Sequence, residues 1–347
     1  MAHPDVFEIL KSKSGLVQKA LDAYLPARGS SEMAELNSFY EMLWDYNLRG
    51  GKRLRPALCL LTCEMFGGKQ ERALPSAVAF ELMHNFLLIH DDFEDGSELR
   101  RGAPCLHRIH GAPAAINAGD GLFAKTWQAL LANRRLIGAG RALKVFDEFA
   151  RQCDYTVQGQ AIELGWVASN KWDVEEKDYY KLVELKTAHY TTTTPMRVGA
   201  ICGGAPMKEA NAIDKFGLLF GTAFQIQDDV LNLAGSEKEM GKEVGGDIHE
   251  GKRTLALLHA YRKARGKEKQ ELVEIMAKPR ERKTPEEVTR VLEIMNSLGS
   301  VEYAKKKALE RAAEAKKVFG KKFSHIKDSE AKQSVEAIID YVVERKY

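Results

Sequence analysis

Residues 90–102, HDDFEDGSELRRG, crowd three aspartates into five positions and then present two arginines. On a helix, Asp91 and Asp95 share one face, whereas Asp92 points about 100° away from them. Like charges this close repel one another, and the negative end of the helix dipole adds to the cost. A hard divalent cation relieves the crowding, because carboxylate oxygens are its preferred ligands. We therefore predict a metal site that includes Asp91, Asp92 and Asp95.

A second acidic cluster lies in FQIQDDVLN at 224–232. Asp228 and Asn232 are four residues apart and share a helix face, with Asp229 beside them. Because both clusters end long apolar stretches, two such helix ends that face each other would form a cage for Mg²⁺. This ion usually takes one or two carboxylates and fills its remaining positions with water and substrate phosphates. The two clusters therefore indicate a phosphate-bearing substrate, and Asp228 and Asp229 are predicted metal ligands.

Cationic residues recur beside glycines and acids, in a pattern that suits a diphosphate. Arginine grips phosphate oxygens with two parallel hydrogen bonds, and lysine binds them as a point charge. The candidates are Lys52, Arg53 and Arg55 in LRGGKRLRP, Arg100 and Arg101 after the first acidic cluster, Lys186 in ELKTAHY, and Lys242 and Lys252 in GKEVGGDIHEGKRT.

Long apolar helices are the elements that must position these side chains. The stretches 73–95 and 212–235 are apolar on nearly all faces until their acidic ends, which predicts two buried helices. A capping box at Thr284 begins a further helix that ends at Gly299, and an amphipathic helix follows over 300–319. Because alternating β-branched runs are almost absent, we predict an all-α fold.

The composition and charge narrow the domain organisation and the class of partner. The chain has 347 residues, 44% of them hydrophobic and 29% charged, which is enough apolar material for a sizeable core. We predict one helical domain over 1–347, with the motifs in 48–254 and further helices in 255–347. A domain split within the charged stretch 262–284 is the alternative. Because 52 lysines and arginines nearly balance 49 aspartates and glutamates, we expect no nucleic acid or acidic membrane surface as the main partner.

The cysteines and the N-terminal residues bear on location. The five cysteines are scattered, without a CxxC motif or the Cys/His spacing of a zinc site, so we expect reduced thiols. The first residues carry charges where a signal peptide would need an apolar run, and no stretch of about 18 apolar residues predicts a membrane span. These features favour a reducing, cytoplasmic location.

Together the motifs resemble those of the trans-prenyltransferases, the polyprenyl diphosphate synthases of the geranylgeranyl and farnesyl type. The resemblance is carried by GGKRLRP, HNFLLIHDDFEDGSELRRG, the KT pair at 186–187 and FQIQDDVLNLAG…GKEVGGDIHEGKRT, which stand in family order. It implies an all-helical fold around a deep central cavity, in a homodimer. The implied reaction joins isopentenyl diphosphate head-to-tail to an allylic diphosphate (dimethylallyl, geranyl or farnesyl), with three Mg²⁺ ions per site when substrate is bound.

The resemblance also implies roles for individual residues. The implied metal ligands are Asp91, Asp95 and Asp228, which with Lys186 and Arg100 form the predicted catalytic set. The residues matching those that grip the allylic diphosphate are Lys186, Lys242, Lys252 and Arg100. The residues matching those that hold isopentenyl diphosphate are Lys52, Arg55 or the adjacent Arg53, His84 and Arg101. Thr187 and Gln225 match residues that line the reaction centre. Helix geometry supports His84, which lies seven residues before Asp91 and within about 20° of its face.

Two other functions compete with this interpretation. Asn232 stands where many family members have an aspartate, so a neutral oxygen replaces a charge in the second acidic cluster. This difference leaves open a non-catalytic partner subunit that modulates a related enzyme. A class I terpene cyclase would share the acidic helix ends, but it needs no isopentenyl diphosphate site such as GGKRLRP, His84 and Arg101 indicate.

Product length depends on the side chains below the first acidic cluster. Ideal helix geometry places Leu87 about 40° and Met83 about 80° from Asp91, but Phe86 about 140° away. Geometry therefore favours Leu87 and Met83 as tunnel residues, whereas the family resemblance favours the bulky Phe86. An aromatic residue at this position, with no insertion in the first motif, resembles a geranylgeranyl (C20) synthase. A farnesyl (C15) product is the alternative.

Overall fold

Helices form nearly all of the regular structure in the described part of the chain. The computed structural model describes residues 5–234 and 245–345. Its helices are α1 (Val6–Leu21), α2 (Ala34–Leu48), α3 (Leu54–Met65), α4 (Leu74–Glu94), α5 (Leu106–His110), α6 (Ala112–Leu131), α7 (Asn133–Ile137), α8 (Ala139–Ala168), α9 (Glu176–Val183), α10 (Thr194–Gly203), α11 (Met207–Ala234), α12 (Gly246–Glu250), α13 (Leu255–Lys263), α14 (Gly266–Met276), α15 (Pro285–Ser297), α16 (Ser300–Lys322) and α17 (Glu330–Glu344). The predicted all-α fold is confirmed.

The remaining elements are short, apart from one π-helix. A π-helical segment, Glu184–Thr193, joins α9 to α10 without a break. Two 3₁₀ turns, Gln70–Arg72 and Arg280–Arg282, precede α4 and α15. Strands β1 (Leu99–Arg100) and β2 (Ala103–Pro104) pair antiparallel, with Leu99 opposite Pro104.

The predicted helices occur where the apolar pattern places them. Helix α4 follows its predicted bounds, and the capping box of α15 is formed, since the N–H of Glu287 donates to Oγ1 of Thr284 at 3.3 Å. Helix α11 begins five residues before the predicted stretch, because Met207 and Ala210 continue its buried face against the core. The predicted helix end at Gly235 lies outside the described residues.

Helix α11 ties together two apolar clusters that form the core. Its first half contributes Phe216 and Phe220 to a cluster that contains the buried faces of α3, α4, α6 and α10. Its second half contributes Ile226 and Val230 to a cluster with α9, α13, α14 and α15. Because the clusters share this helix, we propose a single domain. None of the described helices is both long and apolar enough to cross a membrane.

Two glycines let neighbouring helices close in on the π-helical segment. A Cβ at Gly159 of α8 would lie 2.4 Å from the backbone nitrogen of Lys186, and one at Gly221 of α11 would lie 2.5 Å from Cα of Ala188. These backbones touch because glycine has no side chain. The contacts set the position of a segment whose rare geometry is typical of functional sites.

Candidate active site

One cavity of about 550 Å³ is lined by the acidic ends of both α4 and α11. Its walls bring together most of the residues predicted from the sequence: Lys52, Arg53, Arg55, His84, Asp91, Arg100, Arg101, Lys186, Thr187, Gln225, Asp228, Asp229 and Lys252. The predicted Lys242 lies outside the described residues. The two acidic clusters therefore face a common space.

Three carboxylates form an acidic group at the end of α4. Oxygens of Asp91, Asp95 and Glu163 lie within 4.8 Å of one another, close enough to hold a metal ion. Two lysines cross-link the group: Nζ of Lys186 is 3.2 Å from Asp91 and also contacts Glu163, and Nζ of Lys252 is 2.6 Å from Asp95. The shared face of Asp91 and Asp95 is thus as predicted, and all three members offer the oxygen ligands that Mg²⁺ prefers.

Glu163 was not predicted from the sequence. It lies in α8, where it is surrounded by polar and apolar residues rather than by other acids, so no local clustering marks it. The only local sign is Gly159, one turn earlier, which allows α8 to approach the π-helical segment closely. The contact of Glu163 with Asp91 and Asp95 depends on the packing of α8 against the rest of the bundle.

Burial and neighbouring charges set the ionisation of the acidic group. Burial raises the pKa of Asp95 to about 8, against the lowering effect of Lys252. Burial lowers the pKa of Lys186, but Asp91 and Glu163 raise it by more. The pKa of Lys252 is likewise raised overall, because Asp95, Glu250 and Glu163 outweigh its burial. Both lysines are therefore charged at neutral pH and present cations to the cavity.

Asp92 does not share the face of Asp91 and Asp95, and its role as a metal ligand stays a prediction. Its carboxylate is fully buried and accepts hydrogen bonds from Nε of Arg100 at 2.9 and 3.0 Å. It also accepts one from the hydroxyl of Tyr46 at 2.6 Å. Burial lowers the pKa of Arg100, but Asp92 raises it overall. Asp92 therefore holds Arg100 beside Asp91, where Nη2 of Arg100 is 3.9 Å from the carboxylate.

Asp229 is likewise hydrogen-bonded within the protein, and its role as a metal ligand stays a prediction. It is buried, and its two oxygens accept hydrogen bonds from the hydroxyl of Tyr179 at 2.8 Å and from Nε2 of Gln225 at 2.7 Å. Burial raises the pKa of Asp229 well above its ordinary range, and Asp247 adds to the rise. Gln225 in turn accepts a hydrogen bond from the hydroxyl of Thr187 at 2.8 Å. Asp229 thus orients the two predicted reaction-centre residues, Gln225 directly and Thr187 through Gln225.

Asp228 and Asn232 have different surroundings on α11. The side chain of Asp228 is 40% exposed at the cavity and pairs with Arg345. Asn232 accepts a hydrogen bond from the backbone N–H of Asp247 at 3.0 Å. A neutral amide is sufficient for this contact, which connects α11 to the segment that carries Lys252. The residue that departs from the common family pattern therefore has a structural partner.

Arg53 and Arg55 separate into two roles. Arg53 is buried, has a left-handed backbone (φ 45°) and uses its guanidinium within the protein, where it donates to Ser14, Gln18, Asn47 and Glu81. These bonds occupy the Arg53 guanidinium with protein groups, and its role in substrate binding stays a prediction. Arg55 donates to Oγ1 of Thr191 at 2.8 Å and lies 3.4 Å from Nε2 of His84 at the cavity wall.

Lys52 and Arg101 lie near this arginine–histidine pair. Burial and the nearby Arg345 lower the pKa of Lys52 to about 8. Arg101 donates to the backbone carbonyl of Tyr46 at 2.7 Å, and a Cβ at Gly51 would lie 3.1 Å from its guanidinium. The second glycine of the GG pair therefore leaves room for Arg101.

The chain-length candidates do not line the described cavity. Phe86 packs on the ring of Phe123 of α6 at a centroid distance of 5.0 Å, and Met83 is buried against the sulfur of Cys153 at 3.8 Å. From α4 the cavity is lined by Glu81, His84, Leu88 and Asp91, not by Leu87. The lining face of α4 is centred on the other side of Asp91 from Leu87 and Met83, and the chain-length roles of Met83, Phe86 and Leu87 all stay predictions.

Comparisons with known proteins agree with this geometry. Residues 37–295 match the family model described as polyprenyl synthetase. A short chain isoprenyl diphosphate synthase of Methanothermobacter thermautotrophicus is 37% identical over 298 residues, which cover 86% of this chain and 87% of the relative. A geranylgeranyl diphosphate synthase of Methanosarcina mazei is 34% identical over 340 residues and 97% of both chains. The crystal structure of geranylgeranyl pyrophosphate synthetase from Pyrococcus horikoshii has a TM-score of 0.84 and 33% identity, with 98% of both chains covered. The chain belongs to the polyprenyl synthetase family and is a prenyltransferase that joins isopentenyl diphosphate to allylic diphosphates.

Proposed function

We propose that this prenyltransferase forms geranylgeranyl diphosphate in a Mg²⁺-dependent reaction. The observation that carries the proposal is one cavity whose wall includes Asp91 and Glu163 of the acidic group and, with Asp228, two separate sets of cations. Acids and cations in this arrangement suit two diphosphates with bound metal, rather than one uncharged substrate.

The donor set fits Mg²⁺, because its carboxylates offer only hard oxygen ligands. Asp91, Asp95 and Glu163 of the acidic group, with Asp228 across the cavity, would hold the ions, and the number of three ions stays a prediction. When bound, Mg²⁺ neutralises the leaving diphosphate and so favours ionisation of the carbon–oxygen bond.

Each of the two sets of cations would bind the diphosphate of one substrate. Lys186 and Lys252, which cross-link the acidic group, would bind the allylic diphosphate together with the predicted Arg100 and Lys242. Lys52, Arg55, His84 and Arg101 would bind isopentenyl diphosphate. The hydrogen-bonded pair Thr187 and Gln225 would lie at the reaction centre.

Apolar side chains complete the site. Leu88, Leu182, Val183 and Phe224 line the cavity and would exclude water from the allylic cation, which water would otherwise quench. The double bond of isopentenyl diphosphate attacks this cation, and the released pyrophosphate accepts the proton that the product loses.

The C20 product length rests on Phe86. Its ring fills space between α4 and α6 against Phe123, where it would block a longer chain. Two of the relatives that match nearly the whole chain are named as geranylgeranyl synthases. A C15 product is the alternative outcome of the test below.

We also propose a homodimer. Seven of the thirteen exposed large apolar side chains among the described residues fall on α5–α8: Ile109, Ile116, Leu131, Leu136, Leu143, Val157 and Leu164. Leu143, Val157 and Leu164 share one face of α8, and a surface of this kind marks an interface. Val157→Glu should shift the molar mass measured by light scattering from dimer to monomer, whereas Leu309→Glu on α16 should not. A monomeric wild type would contradict the proposal.

The cytoplasmic location of the protein, which its cysteines and N-terminal residues favour, stays a prediction.

The test of function is an incubation of the purified protein with isopentenyl diphosphate, Mg²⁺ and dimethylallyl, geranyl or farnesyl diphosphate in turn. We expect a C20 product after dephosphorylation and chromatography, and its loss when EDTA is added. Asp91→Asn should abolish elongation, whereas Asp173→Asn on the exposed surface should not. Failure to extend any allylic substrate would refute the proposal. A cyclic hydrocarbon formed without isopentenyl diphosphate would instead identify a cyclase.

A further inference from the structure

Tyr190 of the π-helical segment lies behind the cavity wall, in contact with two of the predicted isopentenyl diphosphate residues. It is buried, its hydroxyl is hydrogen-bonded to Nδ1 of His84, and the guanidinium carbon of Arg55 lies 4.0 Å over its ring. We propose that Tyr190 is a positioning residue that holds His84 and Arg55 for the diphosphate of isopentenyl diphosphate. This inference rests on the substrate site proposed above.

The hydrogen-bonding chemistry explains why a tyrosine is needed at this position. Nη1 of Arg55 lies 3.4 Å from Nε2 of His84, and since a guanidinium only donates, Nε2 accepts and Nδ1 carries the ring proton towards Tyr190. To donate to a phosphate through Nε2, neutral His84 must move its proton there, so that Nδ1 becomes an acceptor. A phenol hydroxyl both accepts and donates. Tyr190 therefore supports the histidine ring in either tautomer.

Arg55 is held from two sides by consecutive residues of the same segment. The ring of Tyr190 lies under its guanidinium, and Oγ1 of Thr191 accepts a hydrogen bond from Nη2 at 2.8 Å. Stacking on an aromatic face restricts the plane of the guanidinium without using its donors. Because the same segment carries Lys186 and Thr187, it connects the groups assigned to both substrates.

Two substitutions distinguish the contribution of the Tyr190 hydroxyl from that of the Tyr190 ring. Tyr190→Phe keeps the ring under Arg55 and removes the bond to His84, and Tyr190→Leu removes both. We expect Tyr190→Phe to raise the KM for isopentenyl diphosphate about three- to tenfold, the effect of one lost hydrogen bond. The KM for the allylic substrate and kcat should stay within about twofold, because uniform binding is what is lost. Tyr190→Leu should raise the first KM further.

A double-mutant cycle tests whether the hydroxyl acts through His84. In a His84→Ala background, Tyr190→Phe should cause no further rise in the KM for isopentenyl diphosphate. An equal rise in both backgrounds, or equal changes in both substrates' KM values, would overturn the proposal. Tyr303→Phe is the matched control, since it removes a tyrosine hydroxyl bond to Glu176 of 2.8 Å outside the cavity.

Wild-type controls separate this inference from the function itself. A wild-type enzyme that elongates nothing refutes the proposed function, whereas an active wild type with an unaffected Tyr190→Phe variant refutes only the role of Tyr190. If the variant does not fold, nitrogen NMR of His84 in the wild-type protein replaces it. We expect Nδ1 of His84 to stay hydrogen-bonded to the Tyr190 hydroxyl both before and after isopentenyl diphosphate binds, and an Nδ1 signal without a hydrogen-bond partner in either state would sink the idea.

Discussion

Gly159 offers a sharp test of how the π-helical segment positions Lys186. In Gly159→Ala, the new Cβ would lie 2.4 Å from the backbone nitrogen and 2.7 Å from Cα of Lys186. Non-bonded carbon contacts are comfortable only near about 3.5 Å, so α8 and the segment must separate by about 1 Å. A side-chain rotation cannot relieve the clash, because the methyl group meets the backbone nitrogen and Cα of Lys186 and also its Cβ, at 2.7 Å. The displacement moves Lys186 relative to Asp91 and Glu163.

The expected losses of stability and of kcat follow from the size of this displacement. Overpacking of this kind costs about 1–3 kcal/mol of stability, which a folded protein of this size tolerates. A 1 Å misplacement of a catalytic group can cost about 100-fold in rate. We expect kcat to fall by about 10- to 100-fold. Gly165→Ala is the matched control in the same helix, because its Cβ would meet nothing within 4 Å.

The assay combines initial rates of isopentenyl diphosphate incorporation, at saturating substrates and Mg²⁺, with thermal unfolding of each variant. Gly165→Ala should keep its rate and gain slightly in helix stability. If Gly159→Ala kept kcat within twofold of Gly165→Ala, the close backbone contact would not position Lys186 and the reasoning would be wrong. Equal losses in both variants would refute it as well, because a general effect on α8 would then be responsible.

Three further predictions concern the metal, the product and pH. Glu163→Gln should raise the Mg²⁺ concentration for half-maximal activity about 10-fold, because the acidic group loses one of its three charged oxygen ligands; an unchanged titration would remove Glu163 from the site. Phe86→Ala should lengthen the product, since the space that its ring fills against Phe123 opens; an unchanged chain length on thin-layer analysis would contradict this. Lys52, with a pKa of about 8, is charged below that pH and neutral above it. The KM for isopentenyl diphosphate should therefore rise between pH 7 and 9 in the wild type but not in Lys52→Arg, and identical profiles would exclude Lys52.

The aspartates of the two acidic clusters show what helix periodicity can predict and what it cannot. Four-residue spacing predicted that Asp91 and Asp95 share a face, and the structure gathers them in one acidic group. The same periodicity turned Asp92 away from that face, but it did not reveal what Asp92 meets there. Arg100 and Tyr46, which come from other elements, take up its carboxylate. The carboxylate of Asp229 likewise accepts a hydrogen bond from a residue of another helix, Tyr179.

The all-α fold, the acidic ends of α4 and α11 and the set of candidate cations could be predicted from the amino-acid sequence, because each depends on residue type and on spacing within one helix. Which of these groups face the cavity depends on how the helices pack. The guanidinium of Arg53 bonds to Asn47 and other protein groups, whereas that of Arg55 lies beside His84 at the cavity wall, although only Leu54 separates the two arginines. Glu163 and Tyr190 join the site through the packing of α8 and of the π-helical segment against α4. Contacts between helices distant in sequence leave no local pattern, so their partners emerge only when the helices pack.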